Sequence, residues 1–134
     1  MTKESTDSDG RIRILVMDDE AHIRNISQKM LEKFGYAVTL TVNGEEAVAE
    51  YRRAFEGGTP YSLVIMDLTV PHGMGGEEAS QKILALDPGA CLAISSGYSD
   101  DPVMADYKRH GLKGIIPKPY RMAEFKETVQ KLIS

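Results

Sequence analysis

Short apolar runs that stop at polar residues recur along the chain. The clearest, Leu63-Val-Ile-Met66, has the length and β-branched content of a strand buried on both faces, and it ends at Asp67 with Pro and Gly shortly behind. Arg11 to Met17 reads as a first strand, apolar toward its end, and runs into Asp18-Asp19-Glu20. Tyr36 to Val42 reads as a second strand, and Ala90 to Ser95 as a fourth that finishes in Ser95-Ser96-Gly97. Lys113 to Ile116 is a short fifth, closed by Pro117-Lys118-Pro119, prolines that suit the edge of a sheet.

Between these runs the apolar spacing changes to that of helices. Ile23, Ile26, Met30, Leu31 and Phe34 form one stripe, and Gly35 is placed to end it in the left-handed conformation. Asn43 caps a second helix carrying Ala47, Val48, Tyr51 and Phe55 until Gly57-Gly58 stops it. A third runs from about Glu77 to Leu86, before the turn Asp87-Pro88-Gly89. Asp101-Pro102 opens a fourth, with Val103, Met104 and Tyr107 facing inward, and Met122, Phe125, Val129, Leu132 and Ile133 stripe a fifth. Alternating strands and helices predict an α/β fold with a parallel sheet. Ligands bind such sheets at the carboxyl ends of the strands, where the strand order reverses. The polar residues that end the runs therefore converge on one edge.

Length and charge narrow the function. With 134 residues and 42% hydrophobic content, residues 11–134 make one domain behind a polar leader, residues 1–10, that reads as a disordered end or linker. A net charge of −4 supplies no basic face for nucleic acid. No stretch approaches a membrane span and no apolar signal core is present, so a cytoplasmic location and no membrane contact are expected. The single Cys91 fits a reducing compartment and a buried, inert thiol. His22, His72 and His110 show no metal-ligand spacing, and Gly73 to Gly76 lack the Lys-Ser/Thr of a nucleotide loop. The run Asp18-Asp19-Glu20 admits two explanations, a helix cap or a bound cation. A serine after the fourth strand can likewise be a cap.

Taken together, Asp18-Asp19 after the first strand, Asp67 after the third, Ser96-Gly97 after the fourth and Lys118-Pro119 after the fifth form a specific set. From Arg11 to the last helix the chain resembles the receiver domain of two-component response regulators. The resemblance implies a flavodoxin-like (βα)5 fold of strand order 2-1-3-4-5. It implies that Asp67 accepts phosphate from a histidine kinase or histidine-phosphotransfer domain. Mg²⁺ would be held by Asp18, Asp19, Asp67 and the backbone carbonyl of Thr69, while Ser96 and Lys118 bind the phosphoryl group. A cis bond before Pro119 is also implied, as is a switching protein-binding face of the fourth helix, fifth strand and fifth helix. Such a domain is a signalling module that catalyses its own modification, not a turnover enzyme.

The residue chemistry agrees with the resemblance. A carboxylate attacks an anionic phosphoryl group only once charge repulsion is removed, and Mg²⁺ on Asp18 or Asp19 with Asp67 removes it. Lys118 reaches a phosphoryl oxygen as a point charge, and the Ser96 hydroxyl donates to another. The resemblance favours Ser96 over Ser95, because the family's switch hydroxyl is followed by Ala or Gly, here Gly97. The chain departs from the family at Ile115, where an aromatic usually stands, which puts the usual aromatic switch in doubt. Thr69 and Tyr98 occupy the positions that, in the family this chain resembles, modulate dephosphorylation by shaping water access. The stretches after Asp67 and Ser95 look most like receivers at the end of hybrid sensor histidine kinases. The rival readings are a Mg²⁺-dependent small-molecule phosphohydrolase, which lacks an acid at Thr69, and a phosphate-independent scaffold.

Overall fold

The computed structural model describes residues 10–71, 73–97 and 102–134. Residues 1–9 of the leader, His72, the Tyr98 position and the Asp101 cap lie outside the described residues. Five strands, β1 (Arg13–Met17), β2 (Ala37–Thr41), β3 (Leu63–Asp67), β4 (Leu92–Ser96) and β5 (Gly114–Pro117), form one sheet. Its order is β2-β1-β3-β4-β5 and all neighbours pair in parallel. The helices are α1 (Ala21–Lys33), α2 (Gly44–Glu56), α3 (Gly76–Leu86), α4 (Pro102–Ala105) and α5 (Met122–Ile133). This is the flavodoxin-like fold.

The central strands are buried along their whole length, as continuous apolar runs should be when both faces are covered. Alternation divides their side chains between two cores. Leu15, Met17, Val64, Met66, Leu92 and Ile94 pack with residues of α2, α3 and α4, whereas Ile14, Val16, Leu63, Ile65 and Ala93 pack with Leu31, Phe125 and Val129 of α1 and α5. The helix signals act locally: the Asn43 carboxamide oxygen accepts from the Glu46 N–H at 2.9 Å, and Gly35 ends α1 at φ +98°. Cys91 is half-buried, its Sγ 3.4 Å from the Leu132 carbonyl oxygen, and burial pushes the thiol up from its ordinary pKa.

Three readings of the sequence need correction. The fourth helix does not continue inward to Tyr107. It stops at Ala105, and Asp106 at φ −127°, ψ 36° turns the chain into a 3-10 turn over Tyr107–His110 that Gly111 closes at φ +80°. Phe55 and Met122, expected in the core, stand 38% and 44% exposed. The buried faces of their helices are filled instead by Ala47, Val48, Tyr51 and Ala54 in α2 and by Phe125 and Val129 in α5. Among the described residues no helix is long and apolar enough to cross a membrane.

Candidate functional site

β1 lies between β2 and β3, so successive connections leave the sheet on opposite sides of the gap between β1 and β3, and a crevice opens at their carboxyl ends. Asp18 follows β1 directly and Asp67 ends β3; they are 1% and 5% exposed. A cleft of about 440 Å³ is lined by Asp19, Glu20, Asp67, Thr69, Pro71, Ser96, Gly97 and Lys118. Pairing brings the elements together: Asp67 stands opposite Ser95 in the ladder, and Ser96 opposite Pro117.

Lys118 closes the site. Its Nζ lies 2.7 Å from Asp18 Oδ2 and 3.4 Å from Asp67 Oδ1. Burial pulls the ammonium pKa down, but the Asp18 and Asp67 carboxylates outweigh that and hold it above its ordinary value. The Lys118–Pro119 bond is cis. Asp67 is pushed up to about 7, first by burial and then by the Asp18 charge, against the opposing pull of Lys118 and of the Thr69 N–H, which donates to Asp67 Oδ1 at 3.3 Å.

The acidic run does not cap the helix behind it. The N-cap of α1 is Glu20, which makes no side-chain cap bond. Instead Asp18 Oδ1 accepts from the Glu20 N–H at 2.9 Å, and Arg24 Nη1 donates to the Asp18 carbonyl at 2.8 Å, fixing the backbone from which the carboxylates project. The remaining oxygen, Asp18 Oδ2, is buried and receives no well-directed hydrogen bond; the Lys118 ammonium meets it off-axis, as an ion pair. Carboxylate oxygens of Asp18, Asp19 and Glu20 lie within 4.8 Å of one another. A buried carboxylate oxygen whose close partner is a cationic ammonium, beside further hard oxygen donors, fits Mg²⁺. Glu20 is an addition to the candidate set; its signal in the sequence was its place as the third of three adjacent acids.

The two serines part company. Ser96 lines the cleft, while Ser95 turns to the other side of the sheet, its Oγ 2.7 Å from the Tyr120 hydroxyl. Ile115 packs against the core beneath α2, α3 and α4. Tyr120 had no role in the sequence reading, although an aromatic two residues after Lys118 is visible there.

The sequence matches the response regulator receiver domain family over residues 14–130. It is 30% identical to the chemotaxis protein CheY of Thermotoga maritima over 90% of this chain and 96% of that protein. Other curated relatives are longer, the chain spanning 22% of one and 42% of another. Among solved structures, CheY of Borrelia burgdorferi in the CheX–CheY–BeF3–Mg²⁺ complex superimposes with a TM-score of 0.84 at 23% identity, over 97% of this chain and 96% of that one. The magnesium-bound receiver domain of a Pseudomonas aeruginosa sensor histidine kinase gives 0.80, also at 23% identity, over 92% and 98%. With a sequence match over nearly all of its sheet and helices, and the strand order and acidic crevice described above, the chain belongs to the response regulator receiver domain family.

Proposed function

We propose that the domain is a phosphoacceptor of two-component signalling in which Asp67 is the acceptor. The observation that carries this is the placing of Asp67 on the cleft wall, within reach of the Lys118 ammonium that also pairs with the buried Asp18 carboxylate. When bound to Asp18, Asp19 and Asp67, with the Thr69 carbonyl, Mg²⁺ would supply charge neutralisation between the carboxylate and the incoming phosphoryl group. The chain's own residues do the rest. Asp67 presents an oxygen already oriented by the Thr69 N–H, Lys118 moves from its carboxylate partners to a phosphoryl oxygen, and Ser96 donates to another. Thr69 and Tyr98 modulate the lifetime of the acyl phosphate.

The donor is a histidine kinase or phosphotransfer domain, and the reader is a protein docking on α4, β5 and α5. We place the domain, residues 11–134, in the cytoplasm and within a hybrid kinase. The context of the solved sensor-kinase receiver supports that setting, and its magnesium supports the cofactor. Neither rival gains from the geometry: Thr69, where a hydrolase would need an acid, is a threonine on the cleft wall.

The test is incubation with Mg²⁺ and acetyl phosphate, followed by intact mass. The expected result is a hydroxylamine-labile, Mg²⁺-dependent phosphate adduct that disappears in Asp67→Asn. An adduct that persists in the folded variant overturns the assignment of Asp67. Its absence from wild type both with acetyl phosphate and with a panel of phosphorylated histidine-phosphotransfer domains overturns the acceptor reading.

A further inference from the structure

The turn that carries Lys118 has few means of holding itself. Ser96 opposite Pro117 is the last pair of the β4–β5 ladder. Of Pro117, Lys118 and Pro119, only Lys118 has an amide hydrogen, and that N–H donates to the Ser96 carbonyl at 3.0 Å. That one backbone bond ties the turn to the sheet, the prolines restrict its dihedrals, and a flexible four-carbon stem extends from Lys118. A second fixed point lies just beyond. The Tyr120 hydroxyl sits 2.7 Å from Ser95 Oγ. Its ring stacks parallel on Phe125, with centroids 4.7 Å apart and planes at 6°, and Phe125 is itself buried edge-on to Phe34.

Two consecutive residues of β4 therefore grip the turn on either side of Pro119, Ser96 through its backbone carbonyl in the plane of the sheet and Ser95 through its side chain on one face. We propose that Tyr120 is a positioning residue, fixing the Pro117–Pro119 turn through Ser95 and so holding the Lys118 ammonium against Asp18 and Asp67. The ring supplies packing and the hydroxyl supplies register: stacking on Phe125 tolerates sliding in the ring plane, whereas a short O–H···O contact does not. Its bearing on phosphoryl transfer rests on the function proposed above, but the placement of Lys118 can be read without it.

The test uses Tyr120→Phe, which keeps the stacked ring, and Ser95→Ala. Each folded protein is reductively methylated with formaldehyde and cyanoborohydride without phosphodonor or Mg²⁺, and peptide mass spectrometry gives the rate at every lysine. The expected result is several-fold faster modification at Lys118 in both variants, unchanged rates at exposed Lys29 and Lys82, and no further gain in the double variant. An unchanged Lys118 rate in the single variants, or gains that add in the double variant, overturns the proposal. Phosphorylation by acetyl phosphate with Mg²⁺ is then compared. A several-fold slowing in Tyr120→Phe is expected, and an unchanged rate beside an active wild type overturns the link to the reaction. A wild type that takes up no phosphate while Lys118 loosens in the variants defeats the functional reading and leaves the positioning role standing.

Discussion

Lys118 Nζ is paired more closely with Asp18, at 2.7 Å, than with Asp67, at 3.4 Å. In the metal-free protein the ammonium thus sits where a cation bound to Asp18 must compete with it. Replacing Lys118 by Met removes that competitor, and Mg²⁺ should bind several-fold more tightly by calorimetric titration. Phosphorylation should nevertheless slow by about tenfold or more, because the positive charge at the phosphoryl oxygen is gone. The metal-free variant should lose about 2 kcal/mol of stability, less than for a fully enclosed pair since the Lys118 side chain keeps 13% exposure.

The elevated pKa of Asp67 gives a pH dependence with a definite sign. Its folded value, about 7, lies above that of an ordinary aspartate. Its contribution to stability is complete below the unfolded value, about 4, and is lost as pH rises through about 7. Without metal, the melting temperature should therefore fall between about pH 4 and about pH 7 and level off above that, and Asp67→Asn should flatten the fall. Lys118, held above its ordinary value, stays charged across that window. Mg²⁺ requires the ionised carboxylate, so the rise in melting temperature that it produces should grow over the same range.

Gly76 opens α3 directly against the acceptor strand. A Cβ there would meet the Asp67 carbonyl oxygen at 2.8 Å and overlap Ile94 Cδ1. Gly76→Ala should cost about 1–3 kcal/mol by chemical denaturation and slow phosphorylation, since the backbone of Asp67 must shift. Gly97→Ala is the control, because a Cβ at Gly97 meets nothing within 4 Å.

Tyr51 separates stability from function. Its hydroxyl, buried by the turn after α3, donates to Asp87 Oδ2 at 2.6 Å, and burial together with that carboxylate pushes its pKa up. Tyr51→Phe should cost about 1–2 kcal/mol and leave the phosphorylation rate unchanged, since the bond lies away from the cleft.

The fold was legible where one physical cause dominated. Leu63–Met66 reads as a strand because a run buried on both faces has no polar member, and Asn43 reads as a cap because its side chain bonds the next turn regardless of distant structure. The fourth helix was misread because its periodicity survives in Val103 and Met104, while the backbone departs at Asp106, which the pattern does not mark. In the site, choosing Ser96 over Ser95 followed from the small residue behind it, and strand alternation separates the two in space. Glu20 and Tyr120 were passed over for another reason. The importance of Glu20 depends on three carboxylates meeting in space, and that of Tyr120 on a contact across the sheet to a residue 25 positions away.

The cleft draws Asp18, Asp67, Ser96 and Lys118 from the ends of four different strands spread over most of the chain. None of these groups can find the others through local structure, because each must wait for its strand to pair across a long connection. Without β5 paired to β4, the Lys118 ammonium has no place beside the two acids. On the function proposed above, phosphorylation of the domain would therefore double as a report that the sheet is complete, and a chain lacking that pairing would stay silent.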